Sequence, residues 1–148
     1  MGGPEPEGAA RSISPPGSHP PLIHLDTSFV IRALNHGSSE DRALRSWIKD
    51  GTPLLMSTVA WAELLCGPID ENHQGLVGRI VGQFAPFDAE DAFLAAQLFN
   101  RTGRRRGSFA DCMIAAAAIN ARASLASSNR ADFTRFTTEG LHLAEIPA

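Results

Sequence analysis

The sequence predicts an α/β protein, a three-layer α/β/α sandwich around a mostly parallel sheet of four to five strands. Short apolar runs alternate with segments of helical periodicity, and this alternation is typical of a parallel sheet covered by helices on both faces. The chain has 148 residues, of which 43% are hydrophobic, enough for one domain with a substantial core. We therefore expect a single folded domain over residues 22–148.

The N-terminal segment differs from the rest of the chain in composition. Proline, glycine and serine dominate residues 1–21, and large apolar side chains are nearly absent. Such a segment cannot bury enough surface to offset the entropy lost on ordering. We expect residues 1–21 to form a disordered tail.

The alternation of strands and helices is clear in the first half of the folded region. Thr27 or Ser28 can cap the helix after the first strand, and Ser38 with Asp41 resembles a capping box. The elements predicted here are a strand at 22–25, a helix from 28 to about 35, a helix from 38 to Gly51 with Ala43, Leu44, Trp47 and Ile48 on its apolar face, a strand at 53–56 and a helix from 57 or 58 to 65.

The second half continues the pattern and ends in an edge strand. Asp88 can cap one helix, and Ser108 begins an alanine-rich helix behind a basic loop at 101–107. The elements predicted are a helix at 71–82 weakened by three glycines, a strand at 83–87, a helix from 88 with Phe93, Leu94, Leu98 and Phe99 on its apolar face, a helix from 108 to about 122, a strand at 124–127, a helical turn near 132–136 and a strand at 141–146.

Four carboxylates lie where this fold would bring them together: Asp26, Glu63, Asp111 and Asp132. In an open parallel sheet, strand carboxyl ends and the following helix N-termini share one edge, where ligands bind. Four acids there repel one another unless a cation lies between them, and oxygen-only sites suit Mg²⁺ or Mn²⁺. The residues therefore predict phosphodiester hydrolysis by metal-activated water.

The first two acids also have structural interpretations. Asp26 could serve the dipole of the helix that follows it, but Thr27 and Ser28 already supply caps, which favours a functional role. Glu63 lies in mid-helix, where a glutamate normally points to solvent. It comes about two turns after the second strand, so its side chain could reach back to the shared edge.

The other two acids follow capping residues. Asp111 comes three positions after Ser108, and Asp132 comes three positions after Asn129, so both match a capping pattern. Ser127, Asn129 and Asp132 all follow a strand end and could face the same pocket. Four independent structural roles would have to coincide to place these acids on one edge by accident, which favours a joint functional site.

Positive charge is concentrated just before Asp111. Arg104, Arg105 and Arg106, with Arg101 nearby, form the only dense basic patch of a chain whose net charge is −3. Such loop charges are usually solvated, and the negative total counts weakly against a nucleic-acid substrate. Beside the acids, however, arginines could neutralise a phosphodiester backbone and hold it in register.

Several other classes of protein are disfavoured by the sequence. None of the five histidines is spaced as a metal ligand pair, and no nucleophile elbow, P-loop or dinucleotide fingerprint occurs. Cys66 and Cys112 are expected to be buried free thiols, which fits a reducing cytoplasm. No apolar run is long enough to span a membrane, and no secretory signal is visible.

These motifs make the chain resemble a PIN domain, and specifically a VapC-type toxin ribonuclease, from Leu22 to Ile146. LIHLDTSFVI resembles the opening strand with its aspartate and following hydroxyl, and STVAWAELLCG resembles the helix with the glutamate. FADCMIAAAA resembles the third-acid motif, and LASSNRADF resembles T-x-N-x-x-D-F with Ser127 in place of threonine. All four motifs occur in order and at ordinary spacing.

The resemblance implies roles for these residues. Asp26, Glu63 and Asp111 would bind Mg²⁺ or Mn²⁺, Asp132 would complete the site, and Asn129 would orient Asp132 or a bound water. The supporting polar residues would be Thr27, Ser127 and Asn129. It also implies an endoribonuclease that cuts structured RNA such as transfer or ribosomal RNA, forms a homodimer and is neutralised by a cognate antitoxin, whose peptide enters the active-site groove.

Two rival classes follow from the same residues. A phosphatase of the haloacid-dehalogenase type needs a second aspartate two residues after the first, and Ser28 stands there. A catalytically silent PIN-like RNA-binding or scaffold domain is the remaining alternative. Loss of an acid would indicate such a domain, and all four acids are present.

Overall fold

The sheet contains five strands, and every neighbouring pair is parallel. A computed structural model describes residues 22–147, so the disordered tail predicted for 1–21 lies outside the described residues. The strands are β1 (Ile23–Leu25), β2 (Leu54–Ser57), β3 (Gln83–Ala85), β4 (Ser124–Ala126) and β5 (His142–Leu143). The predicted α/β fold with a parallel sheet between helices is confirmed.

Helices connect the strands and cover the sheet. They are α1 (Thr27–Ala33), α2 (Ser39–Lys49), α3 (Thr58–Cys66), α4 (Glu71–Ile80), α5 (Ala89–Arg101), α6 (Phe109–Asn120), α7 (Arg130–Phe133) and a 3₁₀ helix at Thr134–Glu139. Among the residues described, no helix combines the length and apolar character needed to cross a membrane.

The strand order β3-β2-β1-β4-β5 places a topological switch point between β1 and β4. From β1 the chain moves outward to β2 and β3, and it then returns to build β4 and β5 on the other side. Ile23 pairs with Leu54 of β2 and with Ser124 of β4, so β1 is central. Ligands of open parallel sheets bind where the strand order reverses, at the carboxyl ends of the strands.

The core lies between the sheet and the helices on its two faces. β1 and β4 are buried along their whole lengths, as expected of strands covered on both sides. Helix α6 carries consecutive buried alanines, and their small side chains allow its backbone to lie close to the neighbouring elements. The first turn of α6, with Asp111, is thereby fixed at the edge near the switch point.

Two predicted apolar faces are wrong in one residue each. Phe93 is 68% exposed and Ile48 is 49% exposed. On α5 the buried positions are Asp91, Ala95 and Leu98, so the inward stripe is rotated away from Phe93. An acid can occupy this stripe because Asp91 accepts hydrogen bonds from the Asp88 backbone and the Asn120 side chain.

Other corrections concern boundaries and caps. Asp26, rather than Thr27 or Ser28, is the cap residue of α1, and its side chain makes no capping bond. The last strand is two residues long instead of spanning 141–146. Arg101 ends α5 instead of lying in the basic loop, and it forms an ion pair of 3.0 Å with Glu139.

The two cysteines differ in burial, which corrects the expectation for one of them. Cys112 is buried, as predicted, whereas Cys66 is exposed. Cys66 ends α3 just before Gly67-Pro68, where the helix leaves the core, so its helical position does not guarantee burial.

Candidate active site

The Asp26 carboxylate is held at the switch point by two hydroxyl groups. Its Oδ2 atom accepts hydrogen bonds from Ser28 Oγ at 2.7 Å and from Ser127 Oγ at 2.8 Å. Ser28 belongs to α1, which follows β1, and Ser127 follows β4. The segments after two neighbouring strands therefore form the clamp, the pair of serine hydroxyls that holds Asp26. Asp26 itself is buried, and its orientation is fixed by partners on both sides.

The loop after β4 is fastened to α1 and α2 by further hydrogen bonds. Ser128 N donates to Ser28 Oγ at 3.1 Å, and Ser128 Oγ donates to Glu40 Oε1 at 3.0 Å. Burial of Glu40 acts to raise its pKa, but hydrogen bonds from its own backbone, Ser128 and Ser39 outweigh burial and lower the pKa. Glu40 therefore anchors the loop as a charged group.

Asp111 projects from the first turn of α6 without serving as part of a cap. Ser108 Oγ donates to Arg105 O at 2.6 Å, so the predicted capping bond to Ser108 is absent. The pKa of Asp111 is raised to about 6, chiefly by burial and further by the negative charges of Asp132 and Asp26. The positive charges of Arg135 and Arg105 oppose it.

Glu63 and Asp132 complete the group by their charges. Partial burial raises the pKa of Glu63, and the charges of Asp26 and Asp111 raise it further. Asp132 is exposed on α7, and its negative charge raises the pKa of Asp111. Its cap residue, Asn129, makes no side-chain capping bond. The four predicted acids therefore interact electrostatically at one edge of the sheet.

The chemistry of this donor set fits a divalent cation, although the side chains do not form a ready-made chelate. Over residues 22–147, no three His, Cys, Asp or Glu side chains converge closely enough to hold an ion. Neighbouring acids help to raise the pKa of Glu63 and of Asp111, and Mg²⁺ or Mn²⁺ would supply positive charge between these carboxylates. Binding would require the carboxylates, above all the exposed Glu63, to close around the ion.

Two of the predicted supporting residues contact the site only indirectly. Thr27 Oγ1 donates to Ala60 O of α3 at 2.8 Å, which ties α1 to the helix that carries Glu63. Asn129 N donates to Ser127 Oγ at 3.0 Å, so the Asn129 backbone orients the clamp on Asp26. The Asn129 residue is exposed.

The three arginines of the basic loop are exposed, and they differ in their relation to the acids. Arg105 lies close enough for its charge to lower the pKa of Asp111. Arg104 Nε donates to Asn100 Oδ1 at 2.9 Å, which holds that side chain against α5. Arg105 is the member of the loop whose charge acts on the acid group.

Sequence reasoning missed three residues of the site: Ser28, Glu40 and Arg135. A hydroxyl two positions after the strand-end acid could have indicated Ser28. Nothing in the local pattern distinguishes Glu40 from an ordinary acid in a first helical turn. Arg135 Nη2 lies 3.9 Å from Asp111 Oδ2, and its spacing of three from Asp132 on a helical turn was the available signal.

The fold agrees with comparisons to known proteins. The PIN domain family model matches residues 23–138. The chain therefore belongs to the PIN domain family, whose members are typically nucleases. No curated protein sequence matches the chain at a significant level.

Solved structures with the same fold come from bacterial complexes. The VapBC2 structure from Rickettsia felis, bound to a DNA fragment from its promoter, is 24% identical with a TM-score of 0.67, covering 83% of this chain and 97% of that one. The DNA-bound VapBC structure from Salmonella typhimurium is 18% identical with a TM-score of 0.66, covering 85% and 98%. A toxin–antitoxin complex from Klebsiella pneumoniae is 20% identical with a TM-score of 0.59, covering 75% and 89%.

Proposed function

We propose that this PIN domain is a metal-dependent endoribonuclease that hydrolyses phosphodiester bonds in structured RNA, such as transfer or ribosomal RNA, as the toxin of a toxin–antitoxin pair. The observation that carries the proposal is the electrostatic coupling of four carboxylates from four separate segments at the switch point. None of the four makes a helix-capping hydrogen bond. Likeness of fold to VapBC structures supports it further.

Four side chains would hold the metal. Asp26, Glu63 and Asp111 would bind Mg²⁺ or Mn²⁺, and Asp132 would complete the site. Such a cation, when bound, lowers the pKa of water and neutralises developing charge on a phosphoryl group. Protons and metal compete for Asp111, because its pKa of about 6 lies close to neutral pH before a cation binds.

The remaining residues of the site orient these groups and the substrate. Ser28 and Ser127 fix the Asp26 carboxylate by their hydroxyl protons, and the Asn129 backbone fixes Ser127. The RNA backbone would be bound by Arg104, Arg105 and Arg106. Of these three, Arg105 is the residue whose charge lowers the pKa of Asp111. Positive charge beside the acids offsets the repulsion between carboxylates and phosphate.

The partners proposed for the protein follow from the same family assignment. A cognate antitoxin would place a peptide in the active-site groove and block RNA entry, and the toxin would form a homodimer in the cytoplasm. Light scattering on the purified protein tests the dimer. Addition of the antitoxin should abolish RNA cleavage without unfolding the toxin.

Mapping of RNA 5′ ends after brief expression is the decisive experiment for the activity. New ends should accumulate at defined positions in structured RNA with the wild-type chain and not with Asp26→Asn. Purified wild type should lose cleavage on chelation and recover it with Mg²⁺ or Mn²⁺, and poorly with Zn²⁺. Equal cleavage by folded Asp26→Asn at matched Mg²⁺ would contradict the proposal.

A catalytically silent RNA-binding or scaffold domain is the second candidate, favoured by the absence of a preformed three-ligand group within residues 22–147. Titration calorimetry with Mn²⁺ separates the two. Binding that disappears in Asp111→Asn supports the nuclease. RNA binding without any Mn²⁺ binding by the wild type supports the silent domain.

A further inference from the structure

The 3₁₀ helix after α7 carries a cation, Arg135, whose side chain lies beside the Cys112 thiol and the Asp111 carboxylate. Its side chain is only 16% exposed. Its Nε and Nη2 atoms are buried and have no hydrogen-bond partner among residues 22–147. Buried charged donors in folded proteins are nearly always paired with protein, water or ligand atoms, so Nε and Nη2 of Arg135 are available to an acceptor from outside the chain.

The guanidinium is held in place by an aromatic ring rather than by an acid. Its central carbon lies 4.4 Å from the centroid of the Phe136 ring. Phe136 is completely buried and packs against Phe133, so this platform is part of the core. Stacking fixes the plane of the guanidinium while leaving its N–H edge available for a ligand.

Asp111 is near Arg135 but does not satisfy it. The distance of 3.9 Å between Nη2 and Oδ2 is too long for a hydrogen bond. Arginines that serve as structural counter-ions in this chain make closer pairs: Arg45 with Asp41 at 2.9 Å and Arg101 with Glu139 at 3.0 Å. Arg135 therefore does not have the geometry of a dedicated partner for Asp111.

We propose that Arg135 is a phosphate-binding residue, whose Nε and Nη2 donors take the oxygens of a phosphodiester lying beside Asp111. This inference rests on the proposed function, because it assigns the position of the RNA backbone within the same site. A planar guanidinium matches two phosphate oxygens, and the fixed ring beneath it reduces the entropy lost on binding. The exposed loop arginines then contact flanking phosphates, whereas Arg135 contacts the phosphate nearest the acids.

RNA binding by Arg135 variants tests this role. Arg135→Gln and Arg135→Lys are made in the Asp26→Asn chain, which prevents cleavage, and Arg79→Gln on α4 is the charge-matched control. A fluorescently labelled, mixed-sequence single-stranded RNA is titrated at several KCl concentrations. Arg135→Gln should weaken binding severalfold or more and make the slope of log K against log salt shallower by about 0.7.

The lysine variant separates phosphate binding from a structural role. Arg135→Lys keeps the charge and loses the planar fork, so affinity should fall while the salt slope stays near that of the parent. Unchanged affinity in Arg135→Lys and Arg135→Gln, or an equal change in Arg79→Gln, would overturn the proposal. If Arg135→Gln fails to fold by circular dichroism, the comparison of Arg135→Lys with the parent decides the question.

Cleavage assays distinguish failure of this inference from failure of the proposed function. If the wild type shows no metal-dependent cleavage but Arg135→Gln loses RNA affinity, the nuclease proposal fails and the phosphate role stands. If the wild type and the Arg135→Gln chain with native Asp26 cleave RNA with equal kcat/KM, the phosphate role is overturned and the nuclease proposal stands.

Discussion

Four helices of this protein begin with the same sequence pattern, but only two of them, α2 and α5, form a side-chain capping bond with it. The pattern is a capping-type residue followed three positions later by Asp. In α2 the Ser38 side chain accepts a hydrogen bond from Asp41 N, and α5 forms both bonds of a capping box. In α6 and α7 neither cap residue makes a side-chain capping bond.

The pKa values of the aspartates in the two regions shift in opposite directions. A hydrogen bond from the Gly37 backbone lowers the pKa of Asp41, and Arg45 lowers it further. Burial and neighbouring acids raise the pKa of Asp111 to about 6. The same local sequence thus supports stability in one region and a carboxyl group with a raised pKa in the other, and perturbed pKa values are typical of functional sites.

The largest expected effect is the loss of RNA cleavage on removal of the Asp111 charge. Asp111→Asn should reduce RNA cleavage roughly 100-fold or more, since even outer partners of a metal site contribute about 10- to 100-fold. It should also stabilise the metal-free protein by on the order of 1 kcal/mol, because it removes a repelled charge and solvent screens part of the gain. Cleavage assays and chemical denaturation without metal measure both effects.

The matched variant in the capping region should behave oppositely. Asp91→Ala removes the capping-box bond and the bond from Asn120, so it should destabilise the protein by about 1–2 kcal/mol. Cleavage by the folded fraction should stay close to that of the wild type. If Asp91→Ala abolishes cleavage while remaining folded, the division between capping and functional acids is wrong.

Acid sensitivity of the fold should arise in part from His24, which is buried in β1. Burial lowers the pKa of His24 to about 4 from 6.5, and the charge of Asp91 opposes this change only in part. The unfolded chain therefore binds more protons between these values, so the free energy of unfolding should decrease as pH falls from 6.5 towards 4. The full effect is about 3 kcal/mol.

Denaturation curves across this pH range measure the contribution of His24. The His24→Leu chain should show a shallower pH dependence between 6.5 and 4, whatever its stability at neutral pH. In Asp111→Asn the stability should fall more steeply on acidification than in the wild type, because the raised pKa of Asp111 makes the wild-type fold take up a proton in the same pH range. An unchanged slope in His24→Leu would show that other groups cause the acid sensitivity.

Metal binding should stabilise the protein through the acids that do not cap helices. A cation at 100 times its Kd raises the free energy of unfolding by about 2.7 kcal/mol. Mg²⁺ or Mn²⁺ should therefore raise the Tm of the wild type and of Asp91→Ala by several degrees, and a chelator should reverse the change. The Tm of Asp111→Asn should respond little, and an equal response would place the ion elsewhere.

The smallest expected effect distinguishes two arginines of the same loop. Arg105→Gln should weaken RNA binding severalfold, because the Arg105 charge lies close enough to the acids to lower the pKa of Asp111. The Arg104 side chain, by contrast, donates a hydrogen bond to Asn100. Arg104→Gln should have a smaller effect, and replacing Arg104, Arg105 and Arg106 together should make the salt dependence shallower. Affinity equal to that of the parent in the triple variant would indicate that the loop is only solvated surface.

The sequence was sufficient to predict the layers of the fold and the edge at which the acids lie. Alternating apolar runs identify parallel strands, and the residue after a strand, such as Asp26, is placed at that edge by any parallel arrangement. Contacts between distant segments were not predictable in the same way. The bond from Ser127 to Asp26 depends on β4 inserting beside β1, which local periodicity does not specify.

The errors have the same origin. Phe93 matched a helical stripe, but the partners of Asp91 allow an acid to replace it in the interior. Ser108 and Asn129 matched a capping pattern, and Ser108 instead bonds to the loop before it. Arg135 was missed because its burial depends on the Phe136 ring and on Asp111, which comes from another helix.

The order of the strands also has a consequence for synthesis of the protein on the ribosome. Ser127 and Asp26 are separated by 101 positions, and Asp132 follows later still. Contacts between such distant segments form late, because closing a long loop costs entropy before the contact is gained. A nascent chain therefore lacks the bond from Ser127 to Asp26 until β4 and the residues after it have been synthesised. An interrupted chain would be an inert fragment, and its acids would have no shared edge on which to act.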